Sequence, residues 1–364
     1  MRKYYTRACN FYYGTNAINL IKKKLALPLC GNKNIAFDNI EILSRYKKKY
    51  IINIKNIKKL PIKIKKIILI DLKKITAKRK NLNKYTDISE PLIMGVLNLT
   101  PDSFSDGGLY NDPKKAFDRI NDMIIKGADI IDIGGESTRP NSKDIPFNIE
   151  WKRLEKVIIN FKKKFPKIFL SIDSRKSDIM LKAIKYKSDL INDVSGFSYD
   201  KKSIEKIKSF NVWKVLHHMQ GTPNTMQINP SYKNVLLDIY DFFEKKINTD
   251  FKKFKYKKFI IDPGIGFGKN LKHNLILMRN ISLFHSLGFP LLIGTSRKRF
   301  INQISLEYDS KERIGGTLAS VLYTLQQGVQ IFRVHNVNEV KQGILVLKKI
   351  ISVKWKKNIL VLTE

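Results

Sequence analysis

The chain has 364 residues, 43% hydrophobic and 28% charged, enough for one large domain plus an appendage. No apolar run reaches the roughly 18 residues of a membrane span, and Cys9 and Cys30, with no nearby histidine, make neither a zinc site nor a disulfide framework, so no membrane and a reducing, cytoplasmic setting are expected. The formal net charge of +37 raises nucleic acid or acidic membrane as partners, but Lys, Ile and Asn rise together throughout and Lys far outnumbers Arg, which reads as compositional drift rather than a specific nucleic-acid partner.

Met1–Lys24 carries Arg2, Arg7 and several lysines, with no acid before Asp38, as a targeting peptide would. It runs straight into segments that read as folded. Ile51–Leu72 alternates Ile and Lys at period two in places, which predicts short half-buried strands. Lys73–Glu90 is polar and aperiodic and reads as a linker, with a boundary near Ser89–Pro91. Residues 1–90 are therefore expected to form a small basic α/β extension, and residues 91–364 a second unit.

From Leu92 apolar runs alternate with helical patterns. The predicted strands are Leu92–Leu97, Asp129–Ile133, Ile168–Ile172, Leu190–Ile191, Val212–Leu216, Phe259–Ile261, Leu291–Ile293 and Ile331–Val334. Asp112 and Pro113 open one helix, Ser177, Asp200 and Ser310 are further N-cap candidates, and Gly288 and Gly328 close amphipathic runs. Eight strand–helix repeats in about 270 residues match a (β/α)8 TIM barrel. A doubly wound open sheet is the alternative, but no GxGxxG follows the first strand.

Polar residues recur where most of these strands end, and a barrel would gather them at one mouth. The richest loop follows the first strand: Asn98, then Thr100, Asp102, Ser103, Phe104, Ser105 and Asp106. Asp173, Asn192, Asp262 and Lys298 come from four strands and suit a flat heterocycle with N–H donors and a carbonyl. Each Asp alone could equally be a helix cap. Arg139, Arg333 and His335, with Thr138 beside Arg139, suit a phosphate or diphosphate. Asn98 offers a hard oxygen to Mg²⁺, although by itself it could be a turn-former. Gly264, Gly266 and Gly268 read as room for backbone and Phe267 to approach a flat ligand. The adjacent His217 and His218 do not make a metal pair, and Ser296 lacks an evident base and orienting acid.

The motifs NLTPDSFSDGG, DIGGESTRP, SIDSRK, INDVSG, HHMQGTPNTMQ, IDPGIGFGKN, GTSRKRF and RVHNV, spanning Leu92 to about Asn338, closely resemble those of the dihydropteroate synthase family. That resemblance implies a homodimeric barrel that joins 6-hydroxymethyl-7,8-dihydropterin diphosphate to 4-aminobenzoate, with Mg²⁺, in folate synthesis. It implies that Asp173, Asn192, Asp262 and Lys298 hold the pterin and that Thr138, Arg139, Arg333 and His335 hold the diphosphate. Asn98 would ligate Mg²⁺. Phe104, Arg139, Pro140, Phe267, Ser296 and Lys298 would border the aminobenzoate, and Asp106 would order the first loop. An SN1-like path through a pterin methylene cation needs no enzyme nucleophile. Catalytic weight would then rest on Asp106, Arg139, Asp173 and Lys298.

The sequence departs from the family pattern at His217, where a Met is expected, and at Asn336, where an Asp is usual. Leu99 replaces a Val, and Ser174–Arg175 stands where a Thr and a small residue are commoner. Leu25–Arg45 is similar to an N-terminal extension of some bacterial synthases. Two other functions stay open from sequence: a pterin-binding methyltransferase domain, which would not need the Thr-Arg-Pro and Ser-Arg-Lys loops, and a basic nucleic-acid binder on an enzyme scaffold.

Overall fold

The computed structural model describes residues 3–100, 113–137 and 144–352. The N-terminal part is a four-stranded antiparallel sheet of β1 (Tyr5–Tyr13), β2 (Leu27–Leu29), β3 (Asn32–Leu43) and β4 (Tyr50–Asn53). It carries two helices, α1 (Gly14–Lys22) and α2 (Ile62–Thr76). The segment weighed as a targeting peptide supplies β1 and α1.

The strands predicted across Ile51–Leu72 are mostly not there. Only β4 matches, and α2 occupies Ile62 onward. The Ile/Lys alternation is local, while Ile68, Asp71, Leu72 and Ile75 recur at helical spacing and are the residues of α2 that are buried. Asp71 is held inside by the Thr6 hydroxyl, 2.7 Å away.

The rest is a barrel of eight parallel strands: β5 (Leu92–Asn98), β6 (Ile130–Gly134), β7 (Phe169–Asp173), β8 (Leu190–Asp193), β9 (Trp213–His217), β10 (Phe259–Asp262), β11 (Leu292–Ile293) and β12 (Ile331–Val334). They run in the order β10-β9-β8-β7-β6-β5-β12-β11. A parallel bridge between Ile261 and Leu291 brings the two ends of this sheet together. All eight predicted strands are present, with ends shifted by a residue or two.

Strand alternation sorts the side chains. Ile93, Ile131, Leu170, Ile191, Phe259 and Phe332 pack with the outer helices. Leu92, Met94, Ile130, Phe169, Leu190, Trp213, Val215, Ile260, Leu292 and Ile331 form the separate interior core. Leu82 and Ile88, from the predicted linker, join that interior core, and Trp213 Nε1 donates to Leu82 O at 2.9 Å. The segment is thus a plug for the N-terminal end of the barrel.

The extension is tied to the barrel by partly buried polar contacts. The Tyr5 hydroxyl donates to Asp241 at 2.9 Å, and Arg45 pairs with Asp238 and Asp241 at 2.6 and 2.7 Å. Asp238 and Asp241 lie on α7 (Val235–Asn248).

Candidate active site

Counting on in twos from the interior apolar residues reaches the predicted site. Ile130 leads to Asp132, Phe169 to Ser171 and Asp173, Leu190 to Asn192, Ile260 to Asp262, and Ile331 to Arg333 and His335. Each of these five strands therefore carries an apolar residue low in the barrel and a polar one toward its C-terminal end, on the same inward face.

Arg333 is the hub. Its Nε donates to Asp132 Oδ2 at 2.6 Å and its Nη2 to Asp173 Oδ2 at 2.8 Å. Burial works against the guanidinium's charge, but the Asp132 and Asp173 carboxylates outweigh it and raise Arg333 above its ordinary range. Asp132 also accepts from Asn192 Nδ2 at 3.1 Å and from the Ser171 hydroxyl. Asp173 Oδ1 is buried without a hydrogen-bond partner among the described residues. Burial pushes the Asp173 carboxyl up; Arg333 opposes this, and the Asp132 and Asp193 charges reinforce it. A buried acceptor with an idle oxygen is chemically ready for an N–H donor.

Asp262 and Lys298 form the other side. Asp262 is 6% exposed, and its Oδ1 accepts from the Gly264 amide at 2.8 Å. Burial lifts its carboxyl to about 6 against the pull of that amide and of Lys298. Lys298 stands just ahead of α9 (Arg299–Ser305), donates to Ile265 O, and places Nζ 4.0 Å from the centre of the Phe267 ring. Burial depresses the ammonium to about 7, with Asp262 opposing and Arg333 adding to the fall. Gly266 has φ +82, and a Cβ there would lie 2.7 Å from Lys298 Cδ. The backbone can pass this close only because the residue is glycine.

His217 stands beside this pair. Its Nδ1 donates to Val194 O at 2.7 Å, and its Nε2 faces Asp262 Oδ2 at 4.0 Å. Burial and the nearby Lys269 and Lys298 hold it well below the ordinary histidine range, so it is a neutral, polar wall packed edge-on to Phe267. Ser296 Oγ is 3.0 Å from His335 Nδ1 and also accepts from the His335 amide, which fixes the ring.

Asn98 closes β5. A Cβ built on Gly134 would lie 3.6 Å from Asn98 Oδ1 and 3.5 Å from Asp173 Cβ, so these two side chains flank the same glycine. No group of three His, Cys, Asp or Glu suited to a metal occurs among the described residues. A single amide oxygen is a hard donor that fits Mg²⁺, which takes waters and phosphate oxygens as its other ligands.

Of the predicted site residues, Asn98, Asp173, Asn192, Asp262, Phe267, Ser296, Lys298, Arg333 and His335 all stand at the C-terminal end of the barrel. Phe104, Asp106, Thr138, Arg139 and Pro140 lie outside the described residues. Sequence reasoning missed Asp132, which sat inside a predicted strand. A charged residue in the run Ile130–Ile133 was the available signal, since a lone carboxylate is not buried in a barrel without a partner.

The Arg175 departure has a structural use. Its guanidinium pairs with Glu136 and Asp144, both at 2.9 Å, and covers the Tyr199 ring. Lys176 pairs with Glu136 and Glu150 at 2.9 and 2.8 Å. Asn336 accepts from Arg297 Nε and Nη2 at 3.0 and 2.8 Å, so the amide still offers the oxygen that a carboxylate would.

The family model for pterin binding enzymes matches residues 94–335. Dihydropteroate synthase of Escherichia coli K12 is 38% identical over 272 residues, which is 74% of this chain and 95% of that protein. The Haemophilus influenzae dihydropteroate synthase is 40% identical over 256 residues, 70% of this chain and 92% of its own length. Among solved structures, Yersinia pestis dihydropteroate synthase with a sulfonamide drug superposes with a TM-score of 0.69 at 35% identity, covering 73% of this chain and 96% of that one. Xanthomonas albilineans dihydropteroate synthase with 4-aminobenzoic acid gives 0.68 at 32% identity, covering 73% and 95%. The Clostridium difficile dihydropteroate synthase, solved in the presence of pteroic acid, gives 0.66 at 36% identity, covering 72% and 97%.

Proposed function

The chain belongs to the pterin binding enzyme family, and from that membership we propose that it condenses 6-hydroxymethyl-7,8-dihydropterin diphosphate with 4-aminobenzoate, releasing diphosphate and 7,8-dihydropteroate. One observation of the molecule supports this most: Asp173, Asn192, Asp262 and Lys298, from four strands, stand around one barrel mouth with Arg333 between two carboxylates.

In this reading Asp173 and Asp262 accept the pterin's N–H groups, and Asn192 and Lys298 meet its ring nitrogens and carbonyl. Arg333 and His335 hold the diphosphate, together with Thr138 and Arg139. Phe104, Arg139, Pro140, Phe267 and Ser296 border the aminobenzoate, and Asp106 orders the first loop. The C–O bond to the diphosphate breaks first, and the cationic methylene carbon is stabilised by the neighbouring carboxylates. The neutral aniline nitrogen then forms the C–N bond and sheds its proton. Mg²⁺, held through Asn98, would neutralise charge on the departing diphosphate.

The protein is proposed to work as a homodimer. Tyr323 on α10 (Ile314–Gln326) and Leu345 and Val346 on α11 (Val337–Ser352) are half or more exposed on two helices that pack together, which suits a partner copy. No helix among the described residues is long and apolar enough to cross a membrane. A cytoplasmic location is part of the same proposal, in keeping with the unpaired Cys9 and Cys30.

The test is incubation of purified protein with the pterin diphosphate, labelled 4-aminobenzoate and Mg²⁺. Labelled dihydropteroate is expected. Methyl transfer from methyltetrahydrofolate to a corrinoid partner, with no dihydropteroate formed, would overturn the assignment.

A further inference from the structure

A second cavity lies at the opposite end of the barrel. Its wall includes Pro91 and Gln330, which precede β5 and β12, whereas the site above lies where the strands end. It is a half-open cleft between the β2–β3 turn of the extension, the Lys78–Pro91 segment and the ends of α10 and α11, and it holds about 430 Å³. That size suits a small molecule.

The wall is mostly apolar, with Leu29, Ile35, Ile88, Val329 and Leu345 contributing. Its charge is one-sided. Lys78, Arg79, Lys348 and Lys349 stand around it against a single acid, Glu90, and Glu90 is already paired with Lys348. Among the described residues, no carboxylate lies within ion-pair distance of Lys78, Arg79 or Lys349.

Arg79 is the most deeply set of these cations. It is 4% exposed, so its charge is buried. Its Nη1 donates to the carbonyls of Lys74 and Ala77, and its Nη2 to that of His285. Its Nε is buried with no hydrogen-bond partner among the described residues. A buried guanidinium with no carboxylate partner among the described residues is half of an ion pair. Cys30 also lines the cavity, with Sγ 3.2 Å from His285 Nδ1. Burial raises the thiol and lowers His285 to about 3, so the pair is neutral and offers no thiolate for covalent chemistry.

We propose that this cavity is a second binding site, for a carboxylate carried on an apolar body. The aliphatic wall takes the body, and the basic side, with Arg79 set into it, takes the anion.

Calorimetry on the full chain tests this with dodecanoate, dodecanol and dodecyltrimethylammonium as probes. Dodecanoate is expected to bind once per chain, undisturbed by saturating pterin and aminobenzoate. The neutral and cationic probes should bind about tenfold more weakly or worse. Arg79→Gln should lose the site, but Arg79 also supports three carbonyls, so two exposed-residue variants give cleaner readings. Lys78→Glu with Lys349→Glu should weaken dodecanoate by about tenfold or more. Ser89→Trp, which sets an indole on the cavity wall, should abolish binding. Both should leave dihydropteroate formation unchanged.

Equal affinity for all three probes, several molecules bound per chain, or full binding by the variants would mean adsorption to a basic surface and would overturn the proposal. So would absence of binding. Binding that appears only after removal of residues 353–364 would give the cavity to the chain's own terminus instead.

Discussion

Replacing Asp132 with Asn changes a charge and little else. Asp132 is fully buried and serves three donors: Arg333 Nε, Asn192 Nδ2 and the Ser171 hydroxyl. An Asn can keep its oxygen toward Arg333 and Asn192 and turn its NH2 toward Ser171, whose hydroxyl can rotate to accept. The hydrogen bonds survive, and the loss is electrostatic. Removing one partner of a buried pair outright costs about 3–5 kcal/mol. Here Arg333 keeps Asp173 at 2.8 Å, so the expected cost is smaller, about 2–3 kcal/mol. Catalysis should suffer as well. A neutral amide would hold Arg333 less firmly than the carboxylate does, and kcat/KM should fall about 10- to 100-fold. Urea unfolding and steady-state dihydropteroate formation measure the two effects. A change below about 0.5 kcal/mol with unaltered kcat/KM would show that Asp132 does not position Arg333.

Three further outcomes are expected. The pH profile of kcat/KM should be bell-shaped. In the proposed function Asp173 and Asp262 must both be ionised to accept from the pterin, so activity falls as pH drops through about 7 and then about 6; Lys298 must be charged, so it falls again as pH rises through about 7. Lys298→Arg should erase the alkaline limb, and an unchanged profile in that variant would contradict the assignment. Gly266→Ala should destabilise the fold by about 1–2 kcal/mol and weaken pterin binding, because the new methyl meets Lys298 at a positive φ; thermal unfolding and titration with a pterin measure both. Tyr5→Phe should cost about 1–2 kcal/mol by removing the hydroxyl from Asp241, with dihydropteroate formation unchanged, since it acts only where the extension meets the barrel.

Most of the barrel was legible in the sequence because its strands are short apolar runs closed by polar loops. Period-two alternation did the rest: once Ile331 faces inward, Arg333 and His335 must follow. Asp132 was not legible for the same reason that it matters. Its partner Arg333 lies 201 positions away, and only closure of the sheet brings β6 and β12 to either side of β5. Residues 62–76 misled because Ile and Lys alternate over the first few positions, while the buried set repeats at three and four. Ser177 was predicted as a cap and is instead the first helical residue of α5 (Ser177–Lys185). Its amide is capped by Asp200, from a loop 23 positions away. The plug formed by Leu82 and Ile88 was invisible for want of periodicity, since a loop that fills a barrel end needs only two apolar side chains at the right places.

The proposed function requires Asp173 and Asp262 to grip one ligand from strands β7 and β10. Equilibrium binding of 6-hydroxymethyl-7,8-dihydropterin diphosphate to the wild-type chain, Asp173→Asn and Asp262→Asn measures this directly. Single-site binding is expected, weakened about tenfold or more in each variant while both remain folded. Full affinity in either folded variant would contradict it.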